Sequence, residues 1–591
     1  MTHRTFAKVR VPAERFSPAE LIMRAPFLIL ICWLAVSPLP AQQTPPRRPD
    51  STFARAPRVQ YTPKTSRADT LRGSYTTPWR SWWDVTFYDL HVAVSPSDSS
   101  IRGWNSITYR VLSAPKELQV DLMEPLQIDS VVQDGRELRF RREGAAFFVT
   151  TVAPQRQGEY KTVTVHYHGR PQIAKNPPWQ GGFSWQTDSL KRPWIATTDQ
   201  GMGASVWWPN KDTQADEPDS QRVAIRVPDP LINVSNGRLR NTIKHPDGTT
   251  TYEWFATSPI NNYAIAVAAG YYAHFSDVFF GENGKLTIDY WPLDYNVENA
   301  RRQWTQVRPM LQCFEYWFGP YPFYEDGYKL IEVHNTGMEH QTAISYGNYF
   351  RNGYRGRDAS GTGLGMEWDF IIVHESAHEW FANNITAKDN ADMWVHESFA
   401  NYAEGLYTEC LFGKAAGARY AVGTRRGIRN DRPIIPAYNV NDQGSGDMYP
   451  KGGQMLHTMR QIVDDDAKWR GILRGLNETF RHQTVTGAQV EQYISAQSGV
   501  NFQKVFDQYL RTAKVPKFEY RIDRDTLHYR WSNVVSGFDM PLRVTLQWPQ
   551  YTIIRPTEAW QKAPIRVPRS SDFAVDVNFY VVPTEVATGG R

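Results

Sequence analysis

Phe370-Ile371-Ile372-Val373-His374-Glu375-Ser376-Ala377-His378 is the stretch on which the reading of this chain turns. Four apolar residues supply the buried face of a helix. The two histidines after them stand four apart, on one face and about one turn up. Two imidazoles so placed can bind one cation. Zn²⁺ prefers tetrahedral N, O and S ligands, and a catalytic site takes three from the protein and leaves the fourth position to water. A chain with 14 histidines can produce H-E-x-x-H by chance, so a third ligand is required. Glu397 meets that need. It lies in Trp394-Val395-His396-Glu397-Ser398-Phe399-Ala400-Asn401-Tyr402, a second helical pattern with an apolar stripe at Phe399, Ala403 and Leu406. His374, His378 and Glu397 are the expected ligands of a single zinc ion. The bland alternative, three surface ion pairs, leaves the further motifs unexplained. Glu375 is not a ligand. It stands beside the metal, where a carboxylate can take a proton from an attacking water and return it to a leaving amine.

These residues resemble the gluzincin aminopeptidases, the family of aminopeptidase N and leukotriene-A hydrolase. Its pattern is H-E-x-x-H, eighteen residues, then Glu; here Glu379–His396 are those eighteen. His378-Glu379-Trp380-Phe381-Ala382-Asn383 looks like the family's H-x-W-F-G-N, and Trp394–Glu404 like its W-x-x-E-x-F-A-x-Y-x-E. Upstream, Thr336-Gly337-Met338-Glu339-His340-Gln341 is similar to the family's G-x-M-E-N. The resemblance implies that Glu339 holds a substrate's free α-amine, with Gly337 and Met338 beside it and the segment Met338–Tyr346 as an edge strand to which a peptide can add. Two departures stand out: His340 replaces Asn, and Thr336 replaces the first Gly. The spacing from Glu339 to His374 is also long, through the Gly-rich loop Arg351–Gly365. Tyr449, in Met448-Tyr449-Pro450-Lys451-Gly452, resembles the Tyr that donates to the tetrahedral oxyanion. Gln200, in Asp199-Gln200-Gly201-Met202-Gly203, resembles the Gln that lines the amine pocket. His340 and Glu404 are candidates for a supporting role behind the ligands, and Glu404 alternatively for a helix cap.

Working outward, short alternating β-branched and aromatic segments fill residues 83–275 and read as an antiparallel β domain. Helical periodicity begins near Val297 and dominates to Lys514, so 276–516 read as the catalytic domain. Alternating strands return in 517–591. The expected fold is α+β and multidomain. By resemblance, which covers about Trp83 to Lys514, it has a saddle-like N-terminal β domain, a thermolysin-like zinc domain that is mostly α with a small sheet, and a small C-terminal β domain. The large helical C-terminal domain of many members is expected to be absent, giving a more open site.

Ala25–Val36 is an apolar run shorter than the ~20 residues of a spanning helix. Basic residues precede it and Pro38-Leu39-Pro40-Ala41 follows. Residues 1–41 therefore read as a secretory signal peptide, more typical if translation starts at Met23, and no membrane span is expected after its removal. An isoleucine before Cys32 argues against lipidation. Residues 42–82, rich in Pro, Arg, Ser and Thr, read as a flexible linker. Beyond the leader only Cys313 and Cys410 remain, read as structural, with their pairing open. A net charge of +5 spread over 591 residues argues against nucleic acid. The expectation is an exported, periplasmic or secreted zinc aminopeptidase acting on peptides with a free N-terminus. An endopeptidase or epoxide hydrolase on the same site is the alternative, and a non-catalytic binding protein a third. Oligomeric state is not encoded in any feature read here.

Overall fold

A computed structural model describes residues 66–587. The leader read in 1–41 and the linker residues 42–65 lie outside them. Residues 66–82 correct the linker expectation. Ser66 caps a helix, Arg67–Gly73, through a reciprocal box with Asp69. Arg80 is fully buried and donates to Asp121 (2.6 Å) and to the Arg72 carbonyl (2.9 Å). Trp82 and Trp83 are buried beside it. A polar stretch without apolar period is held here by specific side-chain bonds, which composition does not reveal.

The N-terminal strands form three sheets, of eight, four and three strands. The largest has Trp83–Ser95 near its centre. Along that strand Tyr88, Leu90, Val92 and Val94 face inward, every second residue, as a half-buried strand requires. It pairs antiparallel with Ser100–Val111 and parallel with Ser220–Pro228. The parallel pair departs from the all-antiparallel expectation. It arises because the chain makes a long excursion, through the second sheet, before it returns. That four-stranded sheet includes Gly182–Thr187 and Pro193–Thr198, and the turn after the latter carries Gln200.

A third sheet runs Phe275–Gly281, Gly284–Trp291, Tyr328–Glu332, Ile344–Tyr346 and Gly337–Met338 in spatial order. The edge strand is thus Gly337–Met338 alone, antiparallel to Ile344–Tyr346. The expected Met338–Tyr346 strand is broken at Thr342, which takes a positive φ of 56° and gives its N–H to Glu379 (2.9 Å). Helices then dominate: Val307–Phe318, Phe370–Ala377, Trp394–Phe412, Pro450–Val463 and Asp466–Thr479 among them. A disulfide, Cys313–Cys410, joins the first of these to the Trp394–Phe412 helix.

The architecture is α+β, with mixed sheets and helices. Buried apolar side chains gather in two large cores. One lies within the N-terminal sheets. The other runs from Phe279 through the helices to Tyr580, so the C-terminal strands share a core with the helices.

Candidate metal centre and substrate cleft

The Phe370–Ala377 helix begins at Asp369, whose carboxylate accepts from the N–H groups of Ile371 (3.1 Å) and Ile372 (3.4 Å). Such a cap satisfies donors that a helix start leaves orphaned. Asp369 is itself held by Tyr346 (2.7 Å), Gln303 (2.8 Å) and Asn348 (2.8 Å), and burial pushes its carboxyl up to about 6. Ile372 and Val373 pack into the core, and the helix turns its other side, with Ile371 and the two histidines, to the cleft.

His374, His378 and Glu397 converge. Glu397, in the first turn of the Trp394–Phe412 helix, places Oε2 3.6 Å from His374 Nε2 and 3.4 Å from His378 Nε2. That oxygen is buried and has no hydrogen-bond partner. Both Nδ1 atoms are occupied: His374 pairs with Glu404 (2.9 Å), and His378 with the Phe381 carbonyl (3.0 Å). The partners fix each ring so that Nε2 points at one spot. Burial disfavours charge on His378, but Glu397 beside it outweighs this and raises the imidazole to about 9. Burial likewise opposes ionisation of Glu397, and the two histidines overcome it and hold the carboxyl far below its ordinary range. The cluster thus has a strong demand for positive charge at one point. Two imidazole nitrogens and a buried carboxylate oxygen without a hydrogen-bond partner are a donor set that Zn²⁺ fits.

Glu404 is braced by Tyr420 (2.8 Å) and Asn401 (3.1 Å) as well as by His374. It pairs with a candidate ligand rather than capping a helix. Seven residues beyond Glu397, it sits on the same helical face, and that spacing is its sequence signal.

Glu375 is buried, and burial raises its carboxyl to about 7. Its carboxylate lies with Glu339 and His378 in one group whose donor atoms are all within 4.8 Å. Gly337 shows why the edge strand needs a glycine there: an added Cβ would sit 2.7 Å from Glu375 Oε1. Glu339 is 3% exposed and accepts from Tyr263 (3.2 Å). Tyr263 was not found by sequence reasoning. It stands 76 residues upstream of Glu339, and no motif marks it. Gln200 lines the same cleft, but its amide donates to Glu397 Oε1 (2.7 Å) rather than to Glu339. The Tyr449 ring lies 5.9 Å from the His374 ring, and burial holds its phenol well above the ordinary value, so the hydroxyl remains a donor. His340 is buried, and its Nδ1 pairs with Ser345 (3.0 Å) and with none of the candidate ligands.

The three candidate ligands, Glu375, Glu339, Gln200, Gly337 and Tyr449 line one cleft of about 250 Å³, and His340, Glu404 and Tyr263 do not. Trp179 and Tyr354 form further parts of its wall, and Thr336 and Met338 part of its floor.

Two histidines from one helix and a glutamate from the next form a group that could hold one metal ion, the arrangement expected of a gluzincin-type zinc metallopeptidase. The peptidase family M1 domain matches residues 360–509, and the relatives and solved structures that the chain resembles are zinc aminopeptidases and metallopeptidases of that kind. Aminopeptidase N of Lactobacillus helveticus is 23% identical over 464 residues, covering 73% of this chain and 51% of that protein. Human aminopeptidase B is 23% identical over 369 residues, covering 58% and 52%. The chain thus spans about half the length of these relatives. The M1 zinc metallopeptidase of Deinococcus radiodurans superposes with a TM-score of 0.61 at 21% identity, covering 76% of this chain and 98% of that one. A mutant of it bound to a Tyr-Ser-Ala substrate gives 0.62 at 20% identity, covering 76% and 99%.

Proposed function

We propose that this chain is a zinc-dependent aminopeptidase that removes N-terminal residues from peptides. His374, His378 and Glu397 would hold one zinc ion. Bound there, the metal supplies Lewis acidity and makes a water acidic near neutral pH. Glu375, buried beside the candidate ligands, takes the proton of the attacking water and passes it to the leaving amine. Tyr449 donates to the carbonyl oxygen as negative charge develops on it. Glu339 pairs with the substrate's ammonium, and Gln200 reaches the same cleft from the N-terminal sheet. Gly337 and Met338 offer the peptide backbone an edge to pair with. One observation carries the reading: two braced imidazoles and an orphaned carboxylate oxygen meet at a point, with a second and a third carboxylate beside it. The third, Glu339, is what an exopeptidase needs, because an internal peptide bond offers no ammonium.

Export accompanies this proposal. The basic, apolar and small-residue pattern of residues 1–41 and the Cys313–Cys410 bond support an oxidising compartment. No described helix is long and apolar enough to cross a membrane.

The test uses matched free and N-acetylated aminoacyl fluorogenic amides, with and without a chelator, beside Glu375→Gln. Chelator-sensitive, Glu375-dependent release from free-amine substrates alone is the expected result. Equal cleavage of acetylated substrates would replace the exopeptidase with an endopeptidase. Silence on every substrate would point to epoxide or other non-peptide chemistry, or to binding.

A further inference from the structure

The cleft has two chemically unlike ends. At one, Glu339, Glu375 and His378 bring their donor atoms together. At the other, one turn before His374 on the same helix, Phe370 stacks on the His374 ring (5.2 Å between centroids, 14° between planes). Tyr354 meets Phe370 edge-on (5.2 Å, 84°), and Ile371 continues the surface. No lysine or arginine is among the residues that line the cleft. Arg355, next to Tyr354 in the chain, is turned onto the Tyr349 ring (5.2 Å).

Tyr354 comes from the Gly-rich loop that lengthens the Glu339–His374 spacing, and the loop is tied down. Gly353 N–H donates to the Trp368 carbonyl (2.7 Å), and Tyr354 and Arg357 exchange backbone bonds (2.8 and 3.1 Å). Asn348 donates to the Gly353 carbonyl (2.8 Å) and to Asp369, the cap of the site helix (2.8 Å). The aromatic wall is therefore fixed to the helix that carries the histidines, and little ordering remains to be done when a substrate arrives.

Direction follows from the amine anchor, and so this inference rests on the proposed function. A substrate ammonium at Glu339 lies at the His378 end. Phe370 is eight residues before His378, about 12 Å along a helix. The cleaved carbonyl belongs between them, so the residue after the cut bond runs toward Phe370. We propose that Tyr354, braced against Phe370, makes this enzyme select an apolar residue, aromatic above all, immediately after the bond it cuts.

The experiment measures kcat/KM for release of Leu from Leu-Phe, Leu-Gly and Leu-Glu by the zinc-supplemented full chain, its Tyr354→Ala and its Tyr354→Phe variants. Phe-Gly reports first-residue preference. Leu-Phe is expected to exceed Leu-Gly by about tenfold or more, the range a hydrophobic pocket achieves. Tyr354→Ala should cut the Leu-Phe to Leu-Gly ratio by about tenfold, chiefly through KM, and Tyr354→Phe should retain it. The Leu-Gly to Phe-Gly ratio should not move. An unmoved Leu-Phe to Leu-Gly ratio, or a shift in Leu-Gly to Phe-Gly instead, overturns the inference and leaves the aminopeptidase intact. Absence of release from every dipeptide overturns both.

Discussion

The proposed metal end and the proposed amine end of the cleft are built on different plans. At the metal end the donors come from two packed helices, and each histidine is aimed by a second bond. Glu404 behind His374 is itself held by Tyr420 and Asn401. At the amine end two residues come from two places: Tyr263 from a short 3₁₀ turn, and Glu339 from just beyond an edge strand. Glu339 has one side-chain bond to fix it, from Tyr263. A redundantly braced site fails as a unit. A site assembled from single contacts fails by degrees, and differently for different substrates.

The largest expected effect tests that contrast directly. Glu375→Gln should lower kcat by roughly 10²–10⁴ for every substrate, with zinc content by elemental analysis unchanged. Glu339→Gln should lower kcat/KM for free-amine substrates while sparing any residual cleavage of acetylated ones. If both variants lose activity uniformly over free and blocked substrates, the two ends are not separable and the comparison collapses.

Next comes the bracing of the metal end. Glu404→Gln should weaken zinc affinity by about 10–100-fold, read by chelator competition, because His374 loses the carboxylate that fixes its ring. Activity should return at saturating zinc. Persistent loss at saturating zinc would mean that Glu404 supports the helix pair rather than the ligand.

Tyr263→Phe removes one bond at the amine end. A hydrogen bond of this kind contributes about 1 kcal/mol, so KM for free-amine substrates should rise roughly fivefold with kcat nearly unchanged. Equal losses in kcat and kcat/KM would place Tyr263 in transition-state chemistry instead.

The two ends also differ in how they are written in the sequence. Ligands at i and i+4 on one helix, and a third at a fixed distance on the next, follow helical geometry that a sequence displays directly. Glu404 follows by the same arithmetic. Gly337 is visible as a motif, but its reason, the approach of Glu375 within reach of a missing Cβ, needs coordinates. Tyr263 could not be read, because its partnership with Glu339 depends on how two sheets meet and not on any local period. The same holds for the pairing of Cys313 with Cys410, for the parallel strand beside Trp83–Ser95, and for the ordering of residues 66–82 by a buried arginine. Short-range periodicity is set by backbone geometry; long-range contact is set by packing, which one sequence does not display.

The smallest expected effect concerns the departure His340 from the family's Asn. Buried and bonded to Ser345, with Nε2 unpartnered, it stands apart from the amine pocket. His340→Asn should therefore change kcat/KM on free-amine substrates less than Tyr263→Phe does. Its signature is in stability. Burial pushes the imidazole down to about 3, below its unfolded value near 6.5. Between those values the unfolded chain binds a proton that the native chain refuses, so native stability falls as pH drops from about 6.5 towards 3. Asparagine removes that penalty, and the fall in Tm between pH 7.5 and 4.5 should become shallower. It should not vanish, because His396, pushed to about 3, and His334 and His457, to about 4, act in the same sense. A large KM effect confined to free-amine substrates would instead return His340 to the amine end, and that end would prove to be braced twice rather than once.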